Sequence, residues 1–199
     1  MWIALAIAAA VLAGGAAYWF GVRKKDDAAA PSSGAWAFAW SKNVAERPNV
    51  EPDGAVWFDF PQADGVHYVV KQAPPVALGQ RITMTFSLEG DGKLIAVDGD
   101  PVARVRLMLQ KRDDDMVSPD GRWWSLPLEL NRTGDYTLVT PVIGGNWTNV
   151  NGQHNDAGFA ACVNNLGNIG FTFGGWSAGH GVYAQGHVRF VLRSLTVTY

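Results

Sequence analysis

The chain is predicted to be all-β, an antiparallel β-sandwich of the jelly-roll kind preceded by one N-terminal transmembrane helix. Three observations predict this. From about residue 55 onward, short runs alternate apolar and polar residues with a period of two. Turn-forming residues punctuate these runs every 8 to 14 positions. The first 22 residues contain no side chain that is charged at neutral pH.

That first segment, Met1 to Val22, reaches roughly 33 Å as a helix, enough for a hydrocarbon core of about 30 Å. Tyr18, Trp19 and Phe20 fall where amphipathic rings favour an interface. A cleaved signal peptide is the competing reading, with Ala28 to Ala30 as a cutting point. Against it, no basic region precedes the apolar run, and Arg23, Lys24 and Lys25 follow it directly. The predicted organisation is an anchor over 1–22, a linker over 23–34 and a sandwich domain over 35–199, with the membrane as a partner. The side of the membrane stays open. The basic trio places the domain in the cytoplasm by the positive-inside rule, whereas a glycan-directed role favours the outside.

Each strand has its own signal. Ala35 to Ser41 (AWAFAWS) alternates small and aromatic residues and reads as a first strand or as a peptide laid along the domain. Arg47 to Gly54 carries two prolines and an Asp-Gly, so it reads as a loop. Strands are predicted over 55–60, 66–71, 81–88, 93–97, 102–110, 122–125, 136–143, 169–173 and 187–199. In the fifth of these, Val102, Arg104, Arg106 and Met108 share one face, and Ala103, Val105, Leu107 and Leu109 the other. In the last, the apolar face changes sides near Ser194, which predicts a bulge. A short helix is predicted over 156–166, capped by Asn155 or Asp156, with Gly167 just past its end.

Composition narrows the function. The 199 residues are 48% hydrophobic and 17% charged, with a net charge of -2. No lysine occurs after Lys111, so the clustered basic face of a nucleic-acid binder is missing. Cys162 is the single cysteine and cannot form an internal disulfide; among apolar neighbours it reads as an inert buried thiol. No cofactor motif is present.

The densest concentration of chemistry is Gly144 to Gly186. It holds eleven of the 23 glycines, with Trp147, Trp176, His154 and His180, and Asp156 is its only carboxylate. Aromatic platforms and amides among glycines suit a neutral, hydroxyl-rich ligand. Asn146, Asn149, Asn151, Gln153 and Asn155 form an amide-rich run around Trp147; amides also simply favour turns. In Arg122-Trp123-Trp124-Ser125 one tryptophan is expected to enter the core and the other to face out beside Arg122, unless Ala35 to Ser41 covers it. The candidate ligand-binding residues are therefore Arg122, Trp124, Trp147, Asn149, Gln153, His154, Trp176 and His180. Asp113, Asp114 and Asp115 are weak metal candidates, because metal loops space their ligands at alternate positions. No G-x-S-x-G elbow occurs. Asn131 to Thr133 and Asn146 to Thr148 fit the glycosylation sequon.

A turn carrying Trp147, a short helix over Phe159 to Asn165, the strand Ile169 to Phe173 and a closing strand over Val188 to Val197 resemble, in that order, the galactose-binding-like jelly roll of many carbohydrate-binding modules. The resemblance covers the last 60 to 70 residues and implies glycan binding without catalysis. Such modules often tie first and last strands through a structural calcium. The last strand here lacks an acidic residue, so the calcium is not carried over.

The leading expectation is a non-enzymatic, membrane-anchored module binding a neutral glycan or polyhydroxyl surface. A structural or assembly protein of the cell envelope, contacting another protein through its glycine–aromatic loops, is the second. A glycan hydrolase using His154, His180, Asp156 and Asp113 to Asp115 is the third; it needs two carboxylates about 5 to 10 Å apart.

Overall fold

Period-2 alternation builds two sheets that face each other across a layer of aromatic rings. The computed structural model describes residues 35–176 and 180–199; the predicted anchor and linker over 1–34 lie outside the described residues. Among the described residues no helix is long and apolar enough to cross a membrane. The strands are β1 (Ala37–Ala39), β2 (Asn49–Val50), β3 (Val56–Asp59), β4 (Tyr68–Gln72), β5 (Arg81–Gly90), β6 (Lys93–Ala96) and β7 (Arg104–Lys111). After these come β8 (Arg122–Ser125), β9 (Leu128–Glu129), β10 (Gly134–Pro141), β11 (Trp147–Asn149), β12 (Leu166–Gly174), β13 (Val182–Gln185) and β14 (Val188–Thr198), with helix α1 (Asp156–Asn164) between β11 and β12.

The larger sheet has seven strands in the order β1-β4-β12-β7-β8-β11, with β9 also on β7; the smaller has five, β10-β5-β14-β3-β2. A ribbon of β13 and β6 stands apart from both. The pairings are antiparallel. The inner faces meet through phenylalanines: Phe190 of β14 lies 5.0 Å from Phe171 and 5.5 Å from Phe173 of β12, and 4.9 Å from Phe86 of β5. Burying rings of this size stabilises by about 1.5–3 kcal/mol each. The glycine inside β12 is required by proximity, since a Cβ on Gly170 would stand 2.1 Å from the carbonyl oxygen of Val69.

The alternation in β7 divides as its sequence predicts: Val105, Leu107 and Leu109 are buried in the core and Arg104, Arg106 and Met108 face away from it. The predicted bulge is present, because the β14–β5 register shifts between Leu192 and Ser194. Ser194 Oγ then lies 2.6 Å from Thr85 Oγ1, which supplies the displaced hydroxyl with a partner. Helix α1 is capped by Asn155, whose side-chain oxygen accepts from the Gly158 amide at 3.1 Å.

Three readings change. Ala35 to Ser41 is both a strand and a covering peptide: β1 pairs with β4, and Trp40 then folds over the outer side of the sheet. Four strands are missing from the predicted set: β2, which lies inside the Arg47 to Gly54 stretch read as a loop and pairs with β3, and β9, β11 and β13, each of four residues or fewer and too short to show alternation. Gly144 to Gly186 is not one surface. It contributes β11, α1, β12 and β13 to different parts of the molecule, and its aromatics Trp147, Phe159, Phe171 and Phe173 are fully or almost fully buried.

Candidate outer-face binding site

The outer face of the seven-stranded sheet carries the polar and aromatic side chains left over once the core is filled. Strand register sets them in three cross-strand rows. One is Arg122, Gln110, Asn168 and Gln72; the next is Trp124, Met108, Gly170, Val70 and Ala37; the third is Arg106, Thr172, Tyr68 and Ala39. Tyr68, Val70, Met108 and Trp124 form a hydrophobic cluster separate from the main core. Gly170 in the middle of the second row leaves the surface low between Met108 and Val70.

Trp40 covers one end. Its φ of +51° puts a bulky residue in the left-handed region, a conformation that the surrounding contacts must hold. The ring meets Tyr68 edge-on at 4.8 Å and lies 5.7 Å from the Arg122 guanidinium, while 38% of the residue stays exposed. At the other end Trp176 is 71% exposed, with Arg104 5.6 Å from its ring. Its backbone is fastened from both sides: the amide donates to Asp100 Oδ2 at 3.0 Å and the carbonyl accepts from Arg106 Nη2 at 2.8 Å.

Along the first row a hydrogen-bond chain crosses the face. Asn168 Nδ2 donates to Gln110 Oε1 at 3.0 Å, and Gln110 Nε2 donates to Asp114 Oδ2 at 3.0 Å. Arg122 Nε lies 3.0 Å from the same carboxylate oxygen, and its Nη2 donates to the Met116 carbonyl at 3.1 Å. Burial pushes the Tyr68 hydroxyl above its ordinary pKa, and the Arg122 charge pulls it part of the way back.

Among the described residues, the buried side-chain polar atoms without a hydrogen-bond partner are Arg106 Nε, Arg122 Nε, Trp124 Nε1 and Thr172 Oγ1. Arg122 Nε has its ion pair with Asp114 but no aligned hydrogen bond. All four belong to this one face. A buried donor left unsatisfied costs about 1–3 kcal/mol, so their gathering on one surface needs a cause.

The sequence-predicted residues divide sharply. Arg122 and Trp124 point to the outer side of the sheet yet are buried there, with Ala39 packed on the Trp124 cluster and Trp40 against Arg122, and Trp123 enters the core with its indole N–H on the Asp120 carbonyl at 3.0 Å, as adjacent strand residues should. Trp176 marks the rim. Trp147 is 0% exposed, stacked on Phe159 at 5.6 Å with its N–H on the Pro141 carbonyl at 2.8 Å; it is a core residue and presents no surface to a ligand. Asn149 is buried and organises its own loop, accepting from the amides of Asn151 and Gln153 at 3.0 Å and donating to Asp120 at 2.9 Å. Gln153 is exposed in that loop, on the α1 side. His154, also exposed, places Nδ1 2.8 Å from the Trp147 carbonyl. His180 is exposed beside Gly181, where a Cβ would meet the His67 ring.

Among the described residues neither His154 nor His180 has a hydrogen bond or ion pair to a carboxylate; His187 does, with Nε2 3.1 Å from Asp59 Oδ1. Asp113 pairs with Lys111 at 3.2 Å and accepts from Asn165 at 3.1 Å. Asp114 is held as above. Asp115 accepts from the amides of Val117 and Ser118 at 2.9 and 2.7 Å, which pulls its carboxyl below the usual range. These aspartates line a cleft of about 360 Å³ together with Asp120, yet among the described residues no group of three or more His, Cys, Asp or Glu is disposed to hold a metal.

Trp40, Tyr68, Arg106, Met108, Gln110, Asn168 and Thr172 belong to the face but not to the predicted set. The alternation in β7 already gave Arg106 and Met108 an outward direction, and Thr172 between Phe171 and Phe173 carries the same signal. Trp40 carries none, because its position depends on a single left-handed φ.

No family model matches the chain, and no curated protein matches it. Several solved structures are similar to it. Xylanase10C from Cellvibrio japonicus in complex with xylopentaose is 16% identical with a TM-score of 0.45, over 83% of this chain and 27% of that one. The chain thus spans about a quarter of the xylanase. The xylan-binding module CBM15 is 17% identical with a TM-score of 0.43, over 80% of this chain and 92% of that one. The N-terminal cellulose-binding domain of β-1,4-glucanase C from Cellulomonas fimi is 14% identical with a TM-score of 0.39, over 83% and 90%. The structures similar to this chain thus include carbohydrate-binding modules, the group its last third resembles; identities this low carry nothing about ligand or site.

Proposed function

We propose that the chain is a non-enzymatic glycan-binding module whose ligand lies on the outer face of the seven-stranded sheet, tethered to a membrane by the anchor read over Met1 to Val22. The single observation that carries this reading is the gathering on one face of three unpartnered buried polar atoms, Arg106 Nε, Trp124 Nε1 and Thr172 Oγ1, beside Tyr68 and Trp40. Sugar hydroxyls donate and accept at once, so they match a surface that offers an indole N–H, guanidinium N–H groups and a hydroxyl. Aromatic rings match the apolar faces of pyranose rings. The unpartnered atoms are shielded, so a ligand reaches them by displacing a covering side chain. Trp40 is held there by ring contacts alone, with no hydrogen bond from its indole among the described residues, and it is the group placed to yield.

The test is a titration of the full chain against a glycan array, read by tryptophan fluorescence. Saturable binding that quenches fluorescence, and that Trp40→Ala weakens by about tenfold without lowering thermal stability, is the expected result. Silence on every glycan, or binding that Trp40→Ala and Arg122→Gln leave untouched while a Gln153→Ala, His154→Ala double variant abolishes it, would move the site off this face.

A further inference from the structure

Three guanidinium groups lie on or beside the outer face, and two of them are neutralised. Arg104 pairs with Asp100 at 2.9 Å and with Glu129 at 3.2 Å. Arg122 pairs with Asp114 at 3.0 Å. Arg106 stands between them on β7, half-buried, and among the described residues no carboxylate lies within ion-pair distance of it. Its contacts are the main-chain carbonyls of Ser125 at 3.2 Å and Trp176 at 2.8 Å. A guanidinium has five N–H donors and does not give up its proton. Two donors are occupied here, and Nε is buried without a partner. Directly across the strand pair sits Thr172, whose Oγ1 is the neighbouring buried hydroxyl without a partner.

We infer that Arg106 and Thr172 anchor a carboxylate of the bound glycan, so that the ligand class is an acidic, uronate-bearing saccharide and not the neutral one that the uncharged Gly144 to Gly186 stretch suggests. The inference rests on the outer-face reading proposed above. A carboxylate takes two parallel N–H donors from one guanidinium and a third bond from a hydroxyl beside it, the arrangement in which charge-assisted bonds are shortest and strongest. A neutral hydroxyl would satisfy the donors but leave the charge of Arg106 partly desolvated and uncompensated. Burial, and after it the Arg104 charge, already press the guanidinium's pKa down; an anion relieves both.

The experiment pairs oligogalacturonate, oligomannuronate and glucuronate-substituted xylan fragments each with its carboxyl-reduced, neutral counterpart, and titrates the full chain with both. At least one acidic member should bind about tenfold more tightly than its neutral twin at low salt, with the preference shrinking in about 0.5 M NaCl. Arg106→Gln should erase the preference, weakening the acidic twin about tenfold more than the neutral one, and Arg106→Lys should restore part of it. Neutral and acidic twins that bind equally overturn the carboxylate anchor and leave the glycan reading standing. The anchor is likewise overturned if Arg106→Gln and Arg106→Lys weaken both twins alike, since Arg106 would then be only the clamp between the Ser125 and Trp176 carbonyls. Binding of no saccharide in the panel overturns the carboxylate anchor, and silence on the whole glycan array as well overturns both proposals.

Discussion

Thr172 shows how a single atom separates a functional face from a structural one. Its Oγ1 is buried and unpartnered in a row of the sheet where any β-branched side chain would fit the backbone. Thr172→Val keeps the shape and removes the unsatisfied hydroxyl, so the domain should gain about 1 kcal/mol, read as a higher Tm. On the outer-face reading the same change should weaken ligand binding; a variant more stable and equally competent would place the ligand elsewhere. The tryptophans give the complementary test. Trp147→Ala removes a fully buried ring with a satisfied N–H and should cost about 3–5 kcal/mol, read by denaturant unfolding. Trp176→Ala removes a ring that is 71% exposed and should leave stability within about 0.5 kcal/mol of the parent.

At the scale of elements, what was legible depended on whether the signal was local. Strands β5, β7 and β14 write their burial in their own alternation, and the Ser194 bulge is visible as a change of apolar face. Helix α1 announces itself by Asn155 before an alanine-rich turn. Asn155→Ala should therefore cost more than the about 1 kcal/mol of a usual cap, because the same side chain also donates to Asp120 Oδ2 at 2.8 Å; chemical denaturation of parent and variant measures the difference. The outer face was only half legible. Arg122 and Trp124 could be placed by strand parity, whereas Trp147 and Asn149 looked identical to ligand-reading residues until the fold showed what lies around them. An aromatic among glycines and amides has the same sequence signature whether it faces sugar or Phe159. Tyr68 and Trp40 come from strands and turns 50 or more residues away from Trp124, and no local pattern reports a cross-strand row.

For the molecule as a whole, Cys162 is the reporter of cooperative opening. The thiol is 0% exposed on α1, and burial pushes its pKa up to about 12. Only the thiolate reacts with a maleimide or a disulfide reagent, so the folded domain should be inert at pH 8 and label at the rate of a free thiol once denatured. Because α1 packs through Phe159 on Trp123 and Trp147, the labelling rate should track global unfolding and not fraying of one edge strand. The sign of the pH effect follows from the same shift. A group whose folded pKa is raised contributes stability that is fully present below its unfolded pKa and is lost as pH rises toward the folded value. Alkaline destabilisation from this thiol should therefore begin above its ordinary value of 9.0 and be complete near 12. Cys162→Ser would introduce a hydroxyl at a site that offers α1 no new partner, while Cys162→Ala would remove the titration and leave a small cavity. If Cys162→Ala shows the same alkaline loss as the parent, the fall in stability belongs to other groups. If the loss moves to higher pH in both variants, the buried thiol is its source, and α1 with its tryptophan bed is part of the one cooperative unit that also carries the outer face.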